Sequence, residues 1–294
     1  MFARVAVFAF LIASAAALPA KDPSPAPIAD LLTQCAGKDG WSDPAPPVRI
    51  HGNTYLVGTC GISAILITSG KGHVLIDGAI AEAAPAIAAN IERLGFRLRD
   101  VKLILSSHEH RDHVGGLAEL QRRSGATVRA SAMAGPVLTT GRKLPADPQV
   151  SIIDSFPPVQ LGRALKDGET VAVGPLLLTA HLTPGHAPGG TSWSWRSCEG
   201  RKCVNLVFAD SVTAVSAEGY RFSDHQPYVA AFRASISKIA ALLCDILLTP
   251  HPGASNMFDR LAGKAPLVDP SACAAYAQKG RAGLDKRLAQ EAAR

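Results

Sequence analysis

The chain has 294 residues, of which 47% are apolar, and a formal net charge of +6 from 30 basic and 24 acidic side chains. This length and apolar content exclude a small disulfide-held scaffold and are sufficient for a large buried core. We expect one domain over residues 21–294. The C-terminal tail, residues 279–294, carries much of the excess positive charge but mixes both signs. It therefore favours an amphipathic surface helix over a nucleic-acid-binding patch.

The first twenty residues have the pattern of a signal peptide. A basic residue precedes an apolar run from Val5 to Ala17, which ends in small side chains and is too short to span a bilayer. A polar linker follows, so cleavage is expected after Ala17 or Ala20, although an uncleaved anchor or a buried helix would show a similar run. We expect residues 1–20 to be removed and the mature protein to be periplasmic or secreted. No later segment predicts a membrane span, and no pattern demands assembly, so a monomer is expected.

Short apolar runs alternate with helical patterns along the rest of the chain. The predicted strands are Tyr55–Val57, Ser63–Ile67, His73–Asp77, Val101–Leu105, Leu176–Ala180, Ser192–Trp195, Val204–Ala209 and Asp245–Thr249. The predicted helices are Ala81–Leu94, one that begins with Leu117–Arg123, and Tyr228–Leu243. Residues 143–160, rich in Pro, Asp and Gln, predict a long loop of the kind that flanks sites. Strands early and late, with helices between them, predict a layered α/β sandwich.

Six cysteines remain after the signal sequence. Cysteines in an exported chain favour disulfides, although spacing alone leaves many connectivities open. By chain order we expect the pairs Cys35–Cys60, Cys198–Cys203 and Cys244–Cys273. Zinc thiolates are the alternative, and the lack of a Cys-x-x-Cys pair disfavours them.

A cluster of metal-binding residue types follows the predicted strand Val101–Leu105. It reads His108-Glu109-His110-Arg111-Asp112-His113, followed by Gly115 and Gly116. In an extended segment the first and third of these residues point to one side, and Asp112 and His113 reach the same point as the chain turns. Imidazole and carboxylate groups suit zinc, and four such groups exceed the three that one catalytic zinc usually takes. The cluster therefore predicts a pair of metals.

Two further histidines stand in turn-rich segments that follow predicted strands. His186 lies in a segment rich in Pro and Gly, residues 183–190, and His251 follows the last predicted strand directly. A lone histidine in such a place is more often structural. Because a two-metal site needs ligands from distant loops, we expect both residues to bind metal.

These motifs together resemble the metallo-β-lactamase superfamily. The resemblance rests on His-x-His-x-Asp-His followed by Gly-Gly, on the two spaced histidines, and on the segments Thr59–Ala64, Leu75–Asp77 and Pro184–Trp193. It covers nearly the whole mature chain and implies an α/β fold, a four-layer αβ/βα sandwich with both metals at one edge. The chain is most similar to the third subclass of zinc β-lactamases. Other subclasses have a zinc-binding cysteine near residues 208–214, and here the nearest is Cys203, which is assigned to a disulfide.

The resemblance implies two Zn²⁺ ions per chain and a set of ligands for each. The first zinc would be bound by His108, His110 and His186, and the second by Asp112, His113 and His251. Asp112 is also implied as the catalytic residue, which orients the hydroxide that bridges the metals. The hydroxyls of Ser211 and Thr213 are implied to contact the substrate carboxylate, although both residues could be ordinary turn residues. Gln149 is a weaker candidate for contact with substrate or with water on the metals.

Two aspartates complete the expected site. Asp77 and Asp210 are expected to orient metal-binding histidines through hydrogen bonds rather than to bind metal. Asp210 has a second interpretation, because glyoxalase-like and lactonase-like relatives use an aspartate in this region to bridge the zincs. The surrounding Asp-Ser-x-Thr pattern resembles the lactamase version and favours the orienting role.

The resemblance implies a zinc-dependent hydrolase, a β-lactamase that opens the amide bond of penicillins, cephalosporins and carbapenems and so confers antibiotic resistance. Its partner would be the small-molecule β-lactam, with no nucleic acid. The alternative is a lactonase or thioester hydrolase of the same fold. A serine nucleophile is disfavoured because no Gly-x-Ser-x-Gly motif is present. A non-enzymatic metal-binding protein would require a closed set of ligands around the metal.

Overall fold

The computed structural model describes residues 24–293, so the predicted signal peptide, residues 1–20, lies outside the described residues. Within that range the chain forms eleven strands and eight α-helices. The strands are β1 Val48–His51, β2 Thr54–Leu56, β3 Ile65–Ile67, β4 His73–Ile76, β5 Val101–Leu105, β6 Thr127–Arg129, β7 Thr170–Val173, β8 Leu176–Leu182, β9 Thr191–Glu199, β10 Lys202–Phe208 and β11 Ile246–Leu248. The helices are α1 Ile28–Gln34, α2 Ala84–Arg93, α3 Arg111–Val114, α4 Leu117–Ser124, α5 Gly135–Thr140, α6 Gln226–Ala240, α7 Met257–Leu261 and α8 Ala272–Ala292.

The strands form two mixed sheets. The first has six strands in chain order from β1 to β6, of which β4, β5 and β6 are parallel. The second has the order β11-β10-β9-β8-β7, with β10 and β11 parallel. Parallel neighbours need a crossover connection, and each of these crossovers contains a helix. The helices therefore cover the outer faces of the two sheets.

Alternation along the strands sorts the apolar side chains into three core layers. In β3, Ile65 and Ile67 face the second sheet, whereas Leu66 between them packs in the layer that contains α2 and α4. In β10, Phe208 faces the first sheet and Val207 packs in the layer that contains α6 and α8. Both sheets are therefore buried on both faces. The predicted four-layer αβ/βα sandwich is confirmed.

Three strands were not predicted from the sequence, and all three lie at sheet edges. β1 and β6 are the outer strands of the first sheet, and β7 is an outer strand of the second. The exposed positions of β1 and β6 carry polar or charged residues, such as Arg49 and Thr127. Edge strands face solvent on one side and lack the continuous apolar run of a central strand, so their sequence signal is weak.

The C-terminal helix is longer than the sequence predicted. α8 begins at Ala272, and its residues Tyr276 and Leu284 are buried in the core layer shared with α6. Gly280 permits close approach, because a Cβ there would lie 2.6 Å from the side chain of Val212. The predicted amphipathic helix of the C-terminal tail is therefore present as the second part of α8, and the prediction missed only the start of this helix. One face of this helix is part of the core.

The end of α8 is fixed by one carboxylate. Glu291 accepts hydrogen bonds from the backbone N–H groups of Phe222 (3.1 Å) and Ser223 (2.8 Å) and from Nε of Arg287 (2.6 Å). Burial alone would raise the pKa of Glu291, but these donors outweigh it and lower the pKa to about 2. The carboxylate thus anchors the helix to the segment that precedes α6.

Three disulfides join the pairs that chain order favoured, and no cysteine within residues 24–293 is free. Cys35–Cys60 joins the end of α1 to the turn before β3. Cys198–Cys203 closes the hairpin between β9 and β10, and Cys244–Cys273 joins the start of α8 to the segment before β11. No helix in the described part of the chain is both long and apolar enough to cross a membrane.

Candidate metal centre

The histidine motif begins where β5 ends, and its first residues are fixed between the two sheets. Asp77, directly after β4, accepts hydrogen bonds from the backbone N–H (2.7 Å) and the hydroxyl (2.6 Å) of Ser107. The carbonyl of Ser107 accepts from the backbone N–H of Thr191 at 2.6 Å. The indole of Trp193 donates to the carbonyl of Ser106 at 3.0 Å. The first sheet thus meets β9 of the second sheet at the base of the motif.

A strained turn after β4 holds the other end of the motif. Asp77 and Ala79 have positive φ angles, 62° and 54°, and such backbone costs on the order of 1–3 kcal/mol for each residue other than glycine. Gly78 donates its backbone N–H to the carbonyl of His113 at 2.8 Å, and Gly116 donates to Ala79 at 2.9 Å. A Cβ on Gly116 would lie 2.2 Å from the carbonyl oxygen of Gly78. The glycine after the motif is therefore required for this close approach.

The fold brings the six predicted metal ligands together. The ring of His108 lies at the centre, with its centroid 4.2 to 4.9 Å from the centroids of three other histidine rings. Two sets of three residues have potential ligand atoms within 4.8 Å of one another: His108, His110 and His186, and His108, Asp112 and His113. The sixth residue, His251, lies with its ring centroid 4.9 Å from that of His113. We name His108, His110 and His186 the tri-histidine group, and Asp112, His113 and His251 the Asp-His-His group.

Asp210 contacts the far side of the His108 ring. Its Oδ1 lies 2.8 Å from Nδ1 of His108, and both side chains are fully buried. The backbone of Asp210 is itself fixed, because its N–H donates to the hydroxyl of Ser192 and its carbonyl accepts from the hydroxyl of Tyr276. This arrangement leaves Nε2 of His108 facing the cluster, and that buried atom has no hydrogen-bond partner among the described residues.

Asp147 contacts the His110 ring in the same way, and the sequence analysis missed it. Its Oδ2 lies 2.9 Å from Nε2 of His110, which leaves Nδ1 free to face the cluster. Its Oδ1 accepts the backbone N–H of Gln149 at 2.7 Å. The side-chain nitrogen of Gln149 lies 3.4 Å from Nε2 of His186, so this residue reaches the site from the predicted long loop. The acidic, Pro-rich composition of that loop was the only sequence signal for Asp147.

Thr213 contacts a candidate metal ligand, a role that the sequence analysis did not assign to it. Its hydroxyl and its carbonyl oxygen lie 2.9 Å and 3.0 Å from Nδ1 of His186. When the hydroxyl oxygen accepts from this nitrogen, the hydroxyl proton remains available to another acceptor. Thr213 is exposed, whereas Ser211 is 7% exposed.

Asp112 lies between the two histidines of the Asp-His-His group. Its Oδ2 is 3.1 Å from Nε2 of His113 and 3.3 Å from Nε2 of His251. The other ring nitrogens face outward: Nδ1 of His113 lies 3.5 Å from Asp77, and Nδ1 of His251 lies 3.2 Å from the carbonyl of Gly61. Asp77 therefore contacts a candidate ligand histidine, in the position where a carboxylate would orient it.

The protonation states of His108, His186 and Asp112 fit a bound metal. Burial, with neighbouring histidines, lowers the pKa of His108 well below its ordinary value and that of His186 to about 3, so both rings are neutral. Burial would raise the pKa of Asp112, but His113 outweighs it and the pKa lies well below its usual range. Although burial opposes it, contacts with Asp112 and Asp77 raise the pKa of His113 to about 10. A metal bound at Nε2 of His113 would displace the proton that this ring otherwise carries, and neutral imidazole nitrogens and carboxylate oxygens are ligands that zinc prefers.

Glu109 joins the motif to the loop that carries His186. Its buried carboxylate accepts the backbone N–H of Gly189 at 2.8 and 3.1 Å. A Cβ on Gly189 would lie 2.6 Å from Cβ of Ala134 and 2.8 Å from its backbone nitrogen, so glycine is required there. Burial raises the pKa of Glu109 to about 7, against the influence of His110 and of the backbone N–H donors. The sequence analysis assigned no role to Glu109 although it lies inside the motif.

Comparisons with known proteins agree with this fold and this site. The sequence model of the metallo-beta-lactamase superfamily matches residues 57–199. The metallo-β-lactamase MIM-1 from Novosphingobium pentaromativorans is 53% identical, with a TM-score of 0.88 over 90% of this chain and 98% of that chain. MEM-A1, a subclass B3 metallo-β-lactamase from a soil metagenome library, is 47% identical, with a TM-score of 0.83 over 86% of this chain and 99% of that chain. The chain belongs to the metallo-β-lactamase superfamily.

Curated relatives match over shorter regions. The hydroxyacylglutathione hydrolase of Methylobacterium nodulans is 35% identical over 103 residues, which cover 35% of this chain and 31% of that enzyme. The chain spans about half the length, or less, of the curated relatives that it matches. These matches are partial, whereas the solved lactamases match 86% to 90% of this chain.

Proposed function

We propose that this protein is a zinc-dependent β-lactamase that hydrolyses the amide bond of penicillins, cephalosporins and carbapenems. One observation carries the proposal: a buried cluster of inward-facing histidine nitrogens and a carboxylate, in a chain 53% identical to a metallo-β-lactamase over almost its full length. Such a cluster without a metal would leave buried polar atoms unpaired, which is unfavourable.

In this proposal each group of ligands holds one zinc. The tri-histidine group would bind through Nε2 of His108, Nδ1 of His110 and Nε2 of His186, since the opposite nitrogens contact Asp210, Asp147 and Thr213. The Asp-His-His group would bind the second ion. Bound zinc lowers the pKa of a water molecule and polarises a carbonyl group.

The protein's own residues would orient the reactants. Asp112 is the proposed catalytic residue, because its carboxylate lies at the meeting point of the two groups and can accept a hydrogen bond that orients a water molecule. Thr213 and Ser211 are proposed to bind the carboxylate of the lactam. Since Oγ1 of Thr213 can accept from His186, its proton remains free to donate to that anion. Gln149 is proposed to contact substrate from the side of the long loop.

We also propose that the protein acts as a monomer in the periplasm or outside the cell. The three disulfides support this location, because disulfides persist in oxidising compartments. The apolar run near the amino terminus would serve as the signal for export.

Hydrolysis of a thioester or lactone is the alternative, and the match to hydroxyacylglutathione hydrolase favours it. A metal-bridging aspartate at position 210 would support this alternative. The contact between Asp210 and the far side of His108 instead supports the lactamase assignment.

Turnover by the purified protein tests the proposal. A penicillin, a cephalosporin, a carbapenem, an acyl-homoserine lactone and a glutathione thioester are compared with and without chelator. We expect lactam hydrolysis that chelator abolishes and zinc restores. His110→Gln should abolish it, whereas His73→Gln, at the opposite end of β4 from Asp77, should retain it. Faster turnover of the thioester or the lactone than of every lactam would refute the proposal.

A further inference from the structure

His251 is the least buried of the six candidate ligands. Its side chain is 38% exposed, whereas that of Asp112 is 11% exposed and the other four residues are buried. Packing therefore fixes the direction of this ring less than it fixes the other five side chains. A contact with a backbone carbonyl also orients the ring. Nδ1 of His251 lies 3.2 Å from the carbonyl oxygen of Gly61, and this contact turns Nε2 toward Asp112.

Gly61 lies in a turn, residues 58–63, that contacts the His251 segment at two points. Besides the contact with the ring, the backbone N–H of Ser63 donates to the carbonyl of Pro250 at 2.7 Å. The turn therefore holds both the side chain of His251 and the backbone of the residue before it. A displacement of the turn would displace the ring.

The N-terminal segment, residues 35–43, also contacts this turn. Cys60 is joined to Cys35 at the end of α1, and both residues are buried. The backbone N–H of Cys60 also donates to the carbonyl of Asp43 at 2.9 Å. A Cβ on Gly61 would lie 2.0 Å from the carbonyl oxygen of Asp39. The turn is thus confined between the N-terminal segment and the His251 segment.

We propose that the Cys35–Cys60 disulfide positions His251. It fixes the turn whose Gly61 carbonyl directs this ring, and its loss weakens metal binding by the Asp-His-His group while the tri-histidine group is spared. This inference rests on the proposed function, in which each group holds one metal. Partners that orient a metal-binding histidine typically contribute about 10- to 100-fold to metal affinity.

The test compares two double variants. Cys35→Ser with Cys60→Ser removes the disulfide next to Gly61. Cys198→Ser with Cys203→Ser removes the one that closes the β9–β10 hairpin, which lies roughly 20 Å along β9 from its contact with the histidine motif at about 3.3 Å per residue. Zinc per chain is measured by atomic absorption after equilibrium dialysis at graded free zinc concentrations.

We expect the wild type and the hairpin variant to bind two zinc ions with the same affinities. In the Cys35/Cys60 variant, half-saturation of one zinc should require about 10-fold more free zinc, and that of the other should be unchanged. Equal affinities in all three proteins would overturn the inference, as would equal weakening in both variants. A wild type that binds one zinc even with excess metal would refute the proposed two-metal site, and the inference with it.

A single substitution tests the same contact with the disulfide intact. Gly61→Ala places a methyl group against the carbonyl of Asp39, so the turn must shift. We expect the same selective loss of one zinc, and this variant decides the matter if the Cys35/Cys60 variant does not fold. A folded Gly61→Ala protein with two zinc ions bound as tightly as in the wild type would contradict the inference.

Discussion

Removal of the Asp147 carboxylate should weaken zinc binding by the tri-histidine group without unfolding the protein. This side chain is 1% exposed and lies 2.9 Å from Nε2 of His110. In the Asp147→Ala variant the ring can rotate, or can place its proton on Nδ1, the nitrogen that faces the metal. A hydrogen bond to a charged group contributes about 1.5–3 kcal/mol. At about 1.4 kcal/mol per tenfold change, zinc affinity should fall roughly 10- to 100-fold.

Competition with a chromophoric chelator measures this affinity directly, and circular dichroism checks the fold. Asp154→Ala is the matched control, because it removes a carboxylate from the same loop whose side chain is 71% exposed and pairs with Arg111 at 3.4 Å. Exposed pairs of this kind contribute about 0–1 kcal/mol, so the control should bind zinc as the wild type does. Unchanged zinc affinity in Asp147→Ala would refute the positioning role. Equal losses in both variants would show that the loop as a whole, rather than this carboxylate, is responsible.

Three further predictions follow from particular contacts. Ser211→Ala with Thr213→Val should lower kcat/KM for carboxylate-bearing lactams about 10-fold or more, because hydroxyl donors to an anion are lost. Zinc content should be retained, since the backbone carbonyl of Thr213 still contacts a ligand histidine, and zinc loss would contradict the assignment. Glu291→Gln should lower the urea midpoint of unfolding at pH 7 but not at pH 2. Because the pKa of Glu291 is lowered on folding, its carboxylate stabilises the fold above pH 4.5, and this stability is lost as the pH falls to about 2. An equal effect of the substitution at both pH values would refute this reasoning. Gly116→Ala should reduce both thermal stability and zinc content, because its Cβ would lie 2.2 Å from the carbonyl of Gly78, and wild-type values in both measurements would contradict it.

The central strands could be predicted because their signal is local. β5 was predicted with its observed bounds, Val101–Leu105, since a continuous apolar run follows from burial on both faces. The edge strands β1, β6 and β7 could not, because their pairing is decided by the neighbouring strand rather than by their own composition. The same reason explains the missed first part of α8, where the burial of Tyr276 and Ala277 depends on contact with α6.

The candidate ligands could also be predicted, because four of them lie within one short motif and the other two lie in turn-rich segments that follow predicted strands. The groups that orient them could not. Asp147 and Thr213 lie on loops distant in sequence from the histidines that they contact, and the carbonyl of Gly61 has no side-chain signature at all. Such contacts form only when loops distant in sequence come together in the folded chain, and a single sequence does not indicate which loops will do so.

This division has a physical consequence for how such a site can vary. The motif supplies the histidine side chains, but each ring has two nitrogens. The group that contacts one nitrogen decides that the other nitrogen faces the metal. Here those contacts come from the second sheet, from the long loop and from the turn held by Cys60. Because each support lies on a different element, a substitution in one of them should change one ligand at a time. Metal affinity can therefore be altered without any change in the six ligands themselves.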